Sequence, residues 1–100
     1  MTAGVLHADL IALADQSDAA RERLIEAAAR VAEIEHVLAA GAIEADAGSE
    51  FDVVLFFALA DLAALEAFGT DERYTRFLQQ DVAANLRAFA GADVSIDAGL

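Results

Sequence analysis

One hundred residues with 18 acidic and 6 basic side chains give a formal net charge of −12. That length is room for a single domain, taken here as residues 1–100, and that charge repels phosphate backbones, which argues against nucleic-acid binding. Cysteine is absent, so disulfides, thiolate metal sites and cysteine nucleophiles are excluded.

Apolar residues make up 58% of the chain, but 26 residues are alanine, so bulky side chains are scarcer than that figure suggests. The longest uncharged apolar run, Val53 to Ala60, stops at Asp61, well short of the roughly 20 residues of a membrane span. The first residues lack a basic leader pattern, so a soluble, cytoplasmic protein without a membrane partner is expected.

Val5 to Leu13 reads as a strand, with Val5, His7, Asp9, Ile11 and Leu13 on one side and Leu6 and Leu10 on the other. Ser17 or Asp18 caps a helix running to about Glu33, with Leu24, Ala28 and Val31 as its apolar stripe, widened by Ile25 and Ala32. Glu26 and Arg30 stand four apart in the favoured order for an ion pair. Val37 to Asp46 is assigned as an edge strand, because Gly41 argues against a continuous helix. Ala47 to Glu50 forms a turn. Phe51 to Leu59 (FDVVLFFAL) is the clearest strand, dominated by Val, Phe and Leu.

Asp61 caps a helix to Phe68, which Gly69 breaks. Thr70 caps another, with Tyr74, Phe77, Leu78 and Val82 as its stripe, continuing towards Phe89 and ended by Gly91. Phe68, Phe77 and Phe89 are read as core on that helical spacing. Asp93 to Asp97 alternates as a closing strand. The order β-α-β-β-α-β predicts an α+β, ferredoxin-like fold: a four-stranded antiparallel sheet with both helices on one face. The third strand is apolar on both faces, and only one face can meet the helices. At ~25 cal/mol per Å², leaving the other face wet forfeits several kcal/mol. A second copy is the simplest cover, so two sheets pair into a dimeric α+β barrel.

Several stretches resemble the stress-responsive dimeric α/β-barrel (Dabb) family. VLHADLIALA is similar to its first strand, which commonly carries a His before an aliphatic run. FDVVLFFALADLAALEAFGTDERYTRFL is similar to its most recognisable region, and VSID to its closing strand. The resemblance spans nearly the whole chain and rests on order and spacing, not on one specific motif. It implies a homodimer, with stress-related, higher-assembly or polyketide-cyclising roles among members. The cyclases use a Tyr and a His at positions held here by Phe68 and Tyr74, a departure that speaks against cyclase chemistry, whereas the first-strand His is retained as His7.

The resemblance turns the His7–Asp9 face towards the barrel interior. Two readings follow: a polar cluster of His7, Asp9 and Tyr74 in an apolar pocket, or a hydrogen-bonded pair at the mouth of a structural barrel. In the first, His7 is the acid/base, Asp9 its orienter and Tyr74 a donor to a substrate oxygen. Ile11, Leu55, Phe57, Phe68 and Phe77 are assigned to the pocket wall. His36 with Glu33 and Glu35, and Glu44 with Asp46, are weighed as metal ligands; a helix-end His and solvated edge charge explain them better. No cofactor and no metal are expected. The leading expectation is a homodimeric barrel holding a small apolar or aromatic molecule. The alternative is a cyclase-like or cofactor-free monooxygenase-like enzyme using His7, and a third is a structural subunit of a larger ring.

Overall fold

The computed structural model describes residues 2–46 and 48–97. Ala47, in the predicted turn, lies outside them. The elements are β1 (Thr2–Leu13), α1 (Asp18–Val31), β2 (Val37–Glu44), β3 (Val53–Leu59), α2 (Leu62–Thr70), α3 (Glu72–Arg76) and β4 (Leu86–Asp97). A π-helical turn (Phe77–Val82) and a 3-10 turn (Ala83–Asn85) join α3 to β4. The strands form one antiparallel sheet in the order β2-β3-β1-β4, so the two most apolar strands are central. This is the α+β, ferredoxin-like βαββαβ arrangement.

Burial along β3 alternates strictly: Val53, Leu55, Phe57 and Leu59 are buried, and Val54, Phe56 and Ala58 are half-buried. The buried set meets Leu24, Val31 and Ile34 from the α1 region and Phe68, Phe77 and Val82 from the later helical segments. Ser17 caps α1 as predicted, its Oγ accepting from the Ala20 N–H at 3.2 Å. The predicted Glu26–Arg30 pair is not among the ion pairs of the described residues; Arg21 instead bonds Asp18 and approaches Glu44 at 3.8 Å.

The later helices differ from the sequence reading. Asp61 does cap α2, accepting from the Ala64 N–H at 2.8 Å. Gly69 does not break it: the helix continues through Thr70, whose Oγ1 donates back to the Glu66 carbonyl at 3.0 Å. The chain turns at Asp71 (ψ 131°), which caps α3 in place of Thr70 by accepting from the Arg73 N–H at 2.8 Å.

The largest correction concerns residues 86–92, which belong to a strand. Helix was predicted to Phe89 with a strand only from Asp93. In the structure the π turn first widens the helix, so that Phe77 and Val82, five apart, are both buried. Asn85 then ends it. Its Oδ1 accepts from the Asp15 N–H at 2.7 Å, its Nδ2 donates to the Asp15 carbonyl at 3.0 Å, and its main-chain carbonyl accepts from the Ala14 N–H at 3.1 Å. With the chain clamped to the end of β1, residues 86–97 pair along β1. Gly91 sits inside that strand. Phe89, predicted as core, is 42% exposed because it projects from the edge strand β4.

The face away from the helices is formed by three rows across the sheet. They are Ala39, Ala58, Leu6 and Val94; Gly41, Phe56, Ala8 and Ala92; and Ile43, Val54, Leu10 and Ala90. None of these residues is charged. Among the described residues, no helix is long and apolar enough to cross a membrane.

Candidate functional site

Strand alternation places His7 and Asp9 of β1 on the face beneath the helices, the same face as Leu55 and Phe57. This corrects the expectation that they face the cavity between paired sheets. α3 lies over them and supplies Tyr74. The three predicted side chains therefore meet, and a fourth joins them. His7 Nε2 donates to Asp9 Oδ1 at 2.8 Å, with the Tyr74 oxygen 2.9 Å away. The Tyr74 hydroxyl donates to Asp9, at 2.9 Å from Oδ2 and 3.1 Å from Oδ1. On the other side of the ring, His7 Nδ1 donates to Asp93 Oδ1 at 2.5 Å.

The cluster grades from interior to surface. Asp9 is 1% exposed, the His7 side chain 15% and the Asp93 side chain 52%. A buried carboxylate without partners is costly, and here the imidazole and the phenol both satisfy it. The rings of Phe57 and Phe68 flank His7 at centroid distances of 6.5 and 6.0 Å, and Phe68 also packs on Tyr74 at 4.4 Å.

Asp93 was missed in the sequence as a member of this group. It stands directly across from His7 in the β1–β4 pairing. Only the register of the closing strand against β1 could have found it.

The electrostatics follow from this geometry. The hydrogen bond to Asp9 pushes the His7 pKa up to about 9; burial opposes this, and Asp93 adds to the rise. At neutral pH His7 is therefore an imidazolium with both N–H groups committed to carboxylates. It has no free lone pair with which to accept a proton. Burial, reinforced by Asp9, pushes the Tyr74 pKa upward as well, so its hydroxyl stays protonated. As arranged, the imidazole and the phenol hold their protons, and neither serves as a base.

The residues assigned to a pocket wall separate. Ile11 and Phe68 are fully buried in the core. Phe77 borders a shallow polar depression beside α1 and α3. Leu55 and Phe57 form the floor of a different cleft, about 210 Å³, between α1 and the β2 edge. Its walls are Ile25, Ala28, Ala29 and Ala32 of α1 and Ala40, Gly41 and Ala42 of β2. Short side chains on both walls leave that space unfilled. Among the described residues no group of three or more His, Cys, Asp or Glu side chains is placed to hold a metal ion.

Known structures share the fold of this chain. The fold matches a Dabb-family protein with a ferredoxin-like fold from Mesorhizobium loti, with TM-score 0.81 and 14% identity over 94% of this chain and 96% of that one. It matches a dimeric ferredoxin-like protein of unknown function from Thermobifida fusca, with TM-score 0.78 and 17% identity over 93% and 91%. It also matches a hydroxynitrile lyase from Passiflora edulis, with TM-score 0.79 and 12% identity over 94% of each chain. No family model matches the sequence, and no curated protein does. The chain has the Dabb-type ferredoxin-like α+β fold.

Proposed function

We propose that this chain works as a homodimer, formed by apposing the two uncovered sheet faces, that holds a small apolar molecule. The observation that carries the reading is the charge-free face. In a chain of net charge −12, three complete rows across the sheet contain no ionisable side chain. A patch of that kind on a small protein marks an interface. A second copy covers it without bringing carboxylates face to face, and the Thermobifida neighbour of the same fold is described as dimeric.

The ligand part rests on the α1–β2 cleft. Apolar cavities of roughly 150 Å³ accept a benzene molecule. A cleft of about 210 Å³ with no polar side chain on its walls suits a neutral single-ring or short aliphatic compound. Toluene is expected to raise the melting temperature of the wild type and to leave Ala28→Leu, which fills the cleft, unchanged. Equal shifts in both proteins, or none in the wild type with any neutral one-ring compound, would overturn the ligand assignment.

The alternative of a cyclase-like or monooxygenase-like enzyme has less support. His7, its intended acid/base, has its pKa raised to about 9 and both ring nitrogens bonded to carboxylates, which takes away its role as a base at neutral pH. The hydroxynitrile lyase shares only the fold at 12% identity.

A further inference from the structure

The uncovered face contains one contact that strand pairing alone does not require. Gly41 of β2 stands opposite Phe56 of β3, in a row whose other members are Ala8 and Ala92. A Cβ built on Gly41 would lie 2.4 Å from Phe56 Cζ and 2.7 Å from Cε2. The ring is therefore laid across the glycine, in space that any side chain at 41 would occupy. Glycine inside a strand is less favourable than alanine. Alanine stands on either side of it at positions 40 and 42. The alanine-rich β2 departs from alanine where the ring lies.

We propose that Gly41 fixes the shape of the surface that a second copy of this chain meets. With the ring lying down on β2, the only large side chain of the middle row does not project. The row is then flat from edge to edge, and two sheets can approach to the usual ~10 Å spacing. A methyl group at 41 lifts the ring away from the sheet and into the partner. The inference rests on the homodimer reading and adds to it the residue that shapes the interface.

A ring over an edge glycine can also serve only the stability of its own sheet, and the experiment separates the two roles. Sedimentation equilibrium and thermal melting are run on the wild type, Gly41→Ala and Gly41→Ala/Phe56→Leu. The expected result is a dimeric wild type, and a folded Gly41→Ala whose dimer dissociates at least tenfold more readily. The double variant, freed of the clash, recovers the wild-type mass. A Gly41→Ala chain that loses thermal stability yet dimerises as tightly as wild type overturns the proposal. So does a double variant that folds but remains a single chain, a test that holds even if Gly41→Ala alone fails to fold. A wild type that is itself monomeric removes the homodimer reading, and this inference with it.

Discussion

On the face beneath the helices, β1 sets His7 and Asp9 between Val5 and Ile11; His7 is bonded to Asp93 and Asp9, and Asp9 to Tyr74 as well. On the opposite face the same strand offers Leu6, Ala8 and Leu10 and nothing that carries charge. The covered face thus admits polar groups because β1, α3 and β4 of the same chain supply their partners. No buried side-chain nitrogen or oxygen among the described residues lacks a hydrogen bond. The open face has no such internal partners, and it is kept apolar throughout. Polarity is tolerated where one chain supplies the partners and is absent from the three rows of the open face.

Removing the imidazole breaks the covered face most severely. His7→Ala leaves Asp9 buried with only the phenol as partner, and a loss of about 3–5 kcal/mol in urea unfolding is expected. A loss below ~1 kcal/mol would mean that the cluster is solvated and not an integral part of the core. The open face is tested by the opposite operation, adding a charge. Val54→Asp, on the same strand as the buried Leu55, should keep the far-ultraviolet spectrum of the fold. It should weaken self-association at least a hundredfold, as an unpaired charge at an interface does. Retention of the wild-type mass would show that this face is not the contact.

The pH dependence sharpens the comparison, because it reads only the covered face. The folded pKa of His7, about 9, lies above the 6.5 of the free side chain. Its contribution is fully present below about pH 6.5 and is lost as the pH rises through about 9. The decline in unfolding free energy is on the order of 3 kcal/mol. His7→Gln should flatten the profile across that window; a wild-type profile that is already flat contradicts the cluster. Tyr74→Phe removes one bond to a carboxylate and leaves the ring packing, for a loss of about 2 kcal/mol. At the bottom of the scale lies Arg76→Ala, which deletes an exposed pair with Glu72 at 2.6 Å. It should cost no more than ~0.5 kcal/mol, and a larger loss would point to packing by the arginine stem.

Much of this architecture was legible because apolar alternation is strong where the chain is buried. FDVVLFFAL reads as a strand on its Val and Phe content, and its two-sided apolarity pointed to a missing cover. The meeting of His7 with Asp9 was legible from a spacing of two. That of Tyr74 with both came with the family resemblance. The helical course from Phe77 to Asn85 was legible from its apolar stripe, but the strand from Leu86 to Ala92 was not. Its alanines favour helix on intrinsic propensity, and the stop signal is a single asparagine whose partner, Asp15, lies 70 residues away. Asp93 lay in a stretch read as a strand, but its place across from His7 depends on a register that such a signal sets. Gly69 and Gly91 misled for the same reason. Glycine permits a break without requiring one, and neighbouring hydrogen bonds decided both places.

The account turns on whether the bare side of the sheet finds its cover in an identical chain. Sedimentation equilibrium of the wild type at micromolar concentration asks this directly. The expected mass is that of two chains. A compact particle with the mass of one chain, unchanged across the concentration series, would contradict it.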